Sequence, residues 1–230
     1  MVPVLLYLLV RKSVAKQWPA FHRKLSGIKI QKNFLLVVGF LLLMLMKIAS
    51  LKAQDQQLQY NIVRNGKVIG WTKLTKTTTD QNSKISLQSE VKARFIFLFV
   101  INALEEAAFE NGILVYSSQF RKTNSDVKEN KTMRLTAQGY QLYNGKDTEQ
   151  LRFPILHHHM LNLYFEEPTQ YLKIYSDSFQ RVLDIERLAG GGYKINLPDG
   201  NSSSYYYENG VCTRVAIDHR MYSAEMMLSR

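Results

Sequence analysis

Two-residue turn signals recur through most of this chain, at intervals that leave room for strands and little else. Asn65-Gly66, Asn111-Gly112, Asn144-Gly145, Asp199-Gly200 and Asn209-Gly210 are pairs that accept the positive φ angles of tight hairpin turns. LQYNIVR and VIGWTKLTK flank the first pair, so the opening stretch reads as a hairpin. A second turn at residues 80–83 leads into KISLQSEVKA, which puts Ile85, Leu87 and Val91 on one face and Lys84, Ser86, Gln88, Glu90 and Lys92 on the other. Period-two alternation means one wet and one dry face. Turns about every 8 to 12 residues mark an all-β sheet, sandwich or barrel.

Two stretches depart from the pattern. FIFLFVI, residues 95–101, is apolar on both faces. It reads as a strand covered on both sides or lining an apolar cavity. The alternative is a buried helix running into NALEEAAFE, whose Ala and Glu are good helix formers. The hairpin signal at Asn111-Gly112 favours the strand. LHHHMLNLYFEE, residues 156–167, spaces Leu156, Met160, Leu163 and Tyr164 helically and stops before Pro168, which predicts a short helix packed on the sheet.

What precedes the strands is an address. Phe34 to Met46 is an uncharged apolar run of 13 residues, preceded by Lys29 and Lys32 and followed by KIASLKAQD. A basic flank, a short apolar stretch and a small residue before a polar start make a secretory signal, with cleavage after Ala53. The competing reading is an uncleaved anchor over residues 34–51, although a span needs about 20 apolar residues and Lys47 interrupts this one. Either reading exports the domain at 54–230, to the periplasm, the outer envelope or the exterior. Residues 1–33 are a basic extension, either a long leader or an over-extended gene start.

Removing residues 1–53 changes the charge balance. They carry nine Lys plus Arg and no acid; the remainder has 21 basic and 19 acidic residues. The apparent basicity therefore belongs to the address and does not point to nucleic acid. Cys212 is the only cysteine, so no disulfide forms within the chain. It lies mid-strand in VCTRVAID, away from where a lipid-modified cysteine would follow the apolar run, and reads as a small packed side chain.

The search for chemistry yields no GxSxG, HExxH, CxxC, P-loop or GxGxxG, and no cofactor motif. His157-His158-His159 would point about 100° apart on a helix, a poor spacing for one metal. His219 follows Asp218, but no serine can be nominated to pair with it. Glu105-Glu106 and Glu166-Glu167 supply carboxylates, yet adjacency does not set the separation that acid–base work on a glycoside needs; solvated faces are the expectation. Aromatics are the stronger signal. Tyr205 and Tyr207 share a strand face opposite Tyr206. With Trp71, Tyr164, Phe95, Phe97 and Phe99 they make a candidate lining for an apolar ligand such as a lipid or acyl chain; ordinary core and cross-strand packing is the competing account.

YNIVRNGKVIGWTKL, FENGILVYSS and YKINLPDGNSSSYYYENGVCTRVAI together resemble exported bacterial families that open with a Tyr-x-Val-x-x-Asn-Gly-Lys-x-Ile-Gly hairpin. Those positions are Tyr60, Ile62, Asn65, Gly66, Lys67, Ile69 and Gly70 here. The chain is similar to domain-of-unknown-function family 6134, in pattern to family 3108, and more distantly to periplasmic lipoprotein carriers. The resemblance implies a mainly β fold, a single curved antiparallel sheet or half-barrel with one short helix in its concave side, and brings no catalytic residues. Three function classes stay open: a non-catalytic binder of an apolar ligand, an envelope hydrolase using carboxylates or histidines, and a structural or interaction module of the envelope.

Overall fold

Alternation does become strands, and the first six are longer than the turn spacing alone implies. The computed structural model describes residues 54–94 and 98–229; the stretch expected to be an export signal, the extension before it, and Phe95 and Phe97 lie outside the described residues. β1 is Gln54–Arg64, β2 Lys67–Thr79, β3 Asn82–Arg94, β4 Leu98–Glu110, β5 Ile113–Thr123 and β6 Asp126–Thr136. Shorter strands follow: β7 Gly139–Tyr143, β8 Thr148–Leu151, β9 Lys173–Ser176, β10 Arg181–Arg187 and β11 Tyr193–Asn196. The chain finishes with β12 Ser202–Glu208, β13 Val211–His219 and β14 Tyr222–Leu228. NALEEAAFE lies wholly within β4, so the helical alternative for that stretch does not hold.

All fourteen strands form one antiparallel sheet in the order β8-β7-β6-β5-β4-β3-β2-β1-β14-β13-β12-β11-β10-β9. Every neighbour but one follows its predecessor in sequence; the pairing of β1 with β14 joins the two ends of the described chain. Asn65, Asn111 and Asn209 each take positive φ ahead of their glycines, as the turn reading requires.

The sheet is strongly curled. Nine strands separate β5 from β9 in the order, which in a flat sheet would put them about 48 Å apart. Yet Ser117 on β5 donates a hydrogen bond to Asp177, at the end of β9, at 2.7 Å. The sheet therefore wraps into a barrel-like cylinder. One face turns inward, carrying Tyr60, Leu74, Ile85, Ala107, Met133 and Ile195, all at most 1% exposed.

Gly70 shows how tightly the long strands pack. A Cβ there would run into the Glu90 carbonyl oxygen of β3 and stand 2.8 Å from Val91 Cα, so only glycine admits this approach.

The helix expected over residues 156–167 is mostly something else. Only Met160–Tyr164 is helical, as a single 3-10 stretch. His159 caps it in an extended conformation, accepting from the Leu161 N–H, while the Asn162 side chain accepts from the His159 N–H. The preceding residues are committed to pairing: the Tyr175 N–H donates to the His158 carbonyl at 3.0 Å, a parallel bridge alongside β9. Helical spacing of apolar residues was thus a weak guide where backbone groups are claimed by a strand edge.

Candidate functional site in the barrel interior

The interior is where the sequence placed its aromatic lining, and it is filled by the chain itself. Residues 152–172, between β8 and β9, form a strap that enters the cylinder. Leu156, Leu161 and Leu163 are 5%, 1% and 0% exposed. The 3-10 stretch packs against β3, β9 and β13. Backbone and hydroxyl groups fix its path: the Leu114 N–H donates to the Leu156 carbonyl at 2.8 Å, the Leu156 N–H to the Tyr140 hydroxyl at 3.0 Å, and the Tyr207 hydroxyl to the Leu163 carbonyl at 2.8 Å.

The structure brings Tyr164, Tyr205 and Tyr207 to this interior. Tyr164 stands edge-on to Tyr60 at 5.5 Å and to Tyr205 at 6.1 Å between ring centroids, a favoured aromatic geometry. Burial, first, and then neighbouring Tyr205 push the Tyr164 phenol well above its usual range. Tyr205 and Tyr207 do share a face, because the register shift between Tyr206 and Tyr207 places the extra residue, Thr213, on β13. Tyr206 faces out, under the Arg214 guanidinium at 3.9 Å.

Trp71 is not brought to this cluster. It pairs with Asn61 and Glu90 in the register, on the face opposite Thr72 and Leu74. Phe99, half-buried, sits opposite the buried Ala93 near the β3–β4 end of the inner face.

Beside the aromatics lies a polar network that sequence reading missed. His159 Nε2 lies 2.8 Å from Asp177 Oδ2, Ser117 Oγ donates to Asp177 Oδ1 at 2.7 Å, and the Leu161 N–H donates to His159 Nδ1 at 3.2 Å. The last bond makes Nδ1 an acceptor, so the ring proton is on Nε2 and goes to Asp177. Serine, aspartate and histidine meet here in an order unlike that of a Ser-His-Asp triad: the carboxylate stands in the middle, and the imidazole does not reach the Ser117 hydroxyl.

Gln119 extends the network, donating from Nε2 to Ser178 Oγ at 2.8 Å and to Glu105 Oε1 at 3.1 Å. Glu105 is half-buried by accessible area but enclosed by protein, and enclosure governs the desolvation that raises its carboxyl above the ordinary range. Among the described residues Gln119 Oε1 has no hydrogen-bond partner.

A bulge with no signal of its own in the sequence explains why Ser117 and Gln119 were missed. Strand β5 has an extra residue, Val115, where its register against β4 shifts, so Leu114, Ser117 and Gln119 all face inward. Without that bulge alternation from Leu114 would aim Tyr116 and Ser118 at the core.

The remaining candidates disperse. His157 Nδ1 meets the Gly112 carbonyl at 2.9 Å, and His158 stacks on Tyr171 at 3.6 Å, so the three histidines point to three different partners. Among the described residues no group of His, Cys, Asp or Glu has the arrangement of a metal site. Glu166 accepts from the Tyr171 hydroxyl and Glu167 from the Tyr193 hydroxyl; they do not face one another across a cleft. His219 accepts from the Met221 N–H and stacks on Tyr222. Cys212 is fully buried, and burial pushes its thiol up to about 12. Among the described residues no helix is long and apolar enough to cross a membrane.

The fold has a known counterpart. A crystal structure of a β-barrel-like protein of domain of unknown function DUF1849 from Brucella abortus superposes with a TM-score of 0.52, covering 79% of this chain and 98% of that one at 10% identity. At that identity the likeness concerns fold alone. No curated protein matches the sequence. The model of the family described as domain of unknown function DUF6134 matches residues 60–229, the whole run from the first inward tyrosine to the end of β14, and the chain belongs to that family.

Proposed function

We propose that this chain is an exported, non-catalytic interaction module of the cell envelope, whose barrel is a rigid, self-filled platform. The observation that carries it is the strap: Leu161 and Leu163 occupy the interior at 1% and 0% exposure, where a carrier would hold its cargo. The Ser117–Asp177–His159 order supports a structural role for the buried polar groups. Export rests on the apolar run Phe34 to Met46 with its basic flank and on Ala53 before the first strand.

A second reading, a binder of an apolar ligand such as an acyl chain, draws on Tyr207 and Phe99, half-buried on the inner face, and on Tyr164, which the strap itself contributes. It requires the strap to leave. Native mass spectrometry, with lipid extraction, on the chain purified from its own envelope without detergent separates the two. The module predicts the mass of protein alone. A stoichiometric acyl species would replace it with the carrier.

A further inference from the structure

Hairpin turns alternate between the two rims of the cylinder, and the turn tips of the two rims differ in the apolar surface they expose. The β1–β2, β5–β6 and β13–β14 turns share one rim because the strands are antiparallel and adjacent in order. On that rim Val68 is 64%, Val127 57%, Met221 80% and Tyr222 37% exposed. The hairpin turns of the opposite rim, at residues 80–81, 111–112, 137–138 and 209–210, carry none of the exposed large apolar side chains among the described residues; the exposed apolar side chains on that side, Ile155 at 48% and Leu172 at 49%, belong to the strap.

Two adjoining tips of the first rim are cationic. Residues 60–70 and 219–224 contain Arg64, Lys67 and Arg220 and no acid. The tips touch: the Arg64 guanidinium lies 5.5 Å from the Tyr222 ring centroid. Bordering carboxylates are few or engaged. Glu225 is paired with Arg214 at 2.9 Å and Asp199 accepts from Asn201, while exposed Asp218 immediately precedes the β13–β14 tip. The β5–β6 tip adds Lys122 and Lys128, the latter paired with Asp126 at 3.3 Å.

We propose that this rim docks on a phospholipid surface bearing anionic headgroups. Met221, Tyr222 and Val68 enter the headgroup boundary, and Lys67, Arg220 and Arg64 meet the phosphates. Apolar tips in a cationic collar are the combination that interfacial binding needs, apolar area for insertion and positive charge for attraction. The tyrosine suits the boundary, with an apolar ring and a polar end. This rests on the reading of the chain as an exported interaction module, and it names the partner.

The test places a polarity-sensitive nitrobenzoxadiazole dye on Met221→Cys in the full chain, with Gln138→Cys on the opposite rim as the control; buried Cys212 stays unlabelled. On phosphatidylglycerol vesicles the dye at 221 shifts to the blue and the dye at 138 does not, and phosphatidylcholine vesicles give little response. Adding Lys67→Gln and Arg220→Gln weakens the partition about 30-fold, the effect of removing two surface cations. No shift at 221, or equal shifts at both positions, overturns the proposal, the latter by locating contact elsewhere, including the apolar run before the domain. A chain silent on vesicles that still carries no acyl cargo loses the lipid surface and keeps the module. A chain that responds on vesicles yet carries stoichiometric lipid loses the module and keeps the docking rim.

Discussion

Glu105 and Glu106 are neighbours with opposite fates. Glu106 points out, paired with Lys84 at 2.8 Å, while Glu105 points in, against Gln119. Burial raises the Glu105 carboxyl, so the charged form is disfavoured in the folded state. A folded pKa above the unfolded one means that stability is greatest below the unfolded value and falls as pH climbs through the window up to the raised folded value. Glu105→Gln keeps an acceptor for Gln119 and removes the ionisation. Thermal melts should show it more stable than wild type at pH 8, by on the order of 1 kcal/mol, with the difference shrinking towards pH 4. A gap that does not depend on pH would show that the charge is not what Glu105 contributes.

His159 is the complementary case. Its removal leaves the Asp177 carboxylate, 7% exposed, with Ser117 alone. A hydrogen bond to a charged group is worth about 1.5–3 kcal/mol, so His159→Ala should lose at least that much stability in denaturant titration, and Asp177→Asn less. Cys212 should resist thiol reagents in the native state and react once unfolded, because its thiol is both buried and raised. The sequence showed these residues without their roles. Members of a Glu pair, a histidine run or a serine pair look alike in a linear reading, and only the local backbone geometry decides which member meets the core.

Elements were more legible than residues. Asn-Gly turns located the hairpins because positive φ is a local property of those residues. Ile85, Leu87 and Tyr205 sit on the inner face that alternation assigned them. Two things were hidden. The extra residue at Val115 moves Ser117 and Gln119 into the core, and nothing in ILVYSSQF distinguishes that register from its neighbour. The strap looked helical because its leucines are spaced that way, whereas its backbone is drawn into pairing with β9 and β5. Gly70 was visible only as part of a turn-flanking motif; its reason is the β3 backbone against it. Gly70→Ala should cost about 1–3 kcal/mol in chemical unfolding, since the Glu90–Val91 backbone of β3 stands where the methyl would go.

At the scale of the molecule, the sheet meets its own far side across the strap. Closure comes from Ser117 and Gln119 reaching Asp177 and Ser178, contacts between residues about 60 positions apart that no local pattern encodes. A curved sheet was expected, and so was an occupied concave side; that the occupant is a core element with buried leucines and its own polar anchor was not. If the strap is core, its amides open only with the whole domain. Amide hydrogen exchange resolved over residues 158–165 and 174–176 measures this directly. The account predicts protection equal to that of β2 and β3. Strap amides that exchange within minutes while those strands stay protected would make the strap a removable plug, and would contradict the self-filled platform.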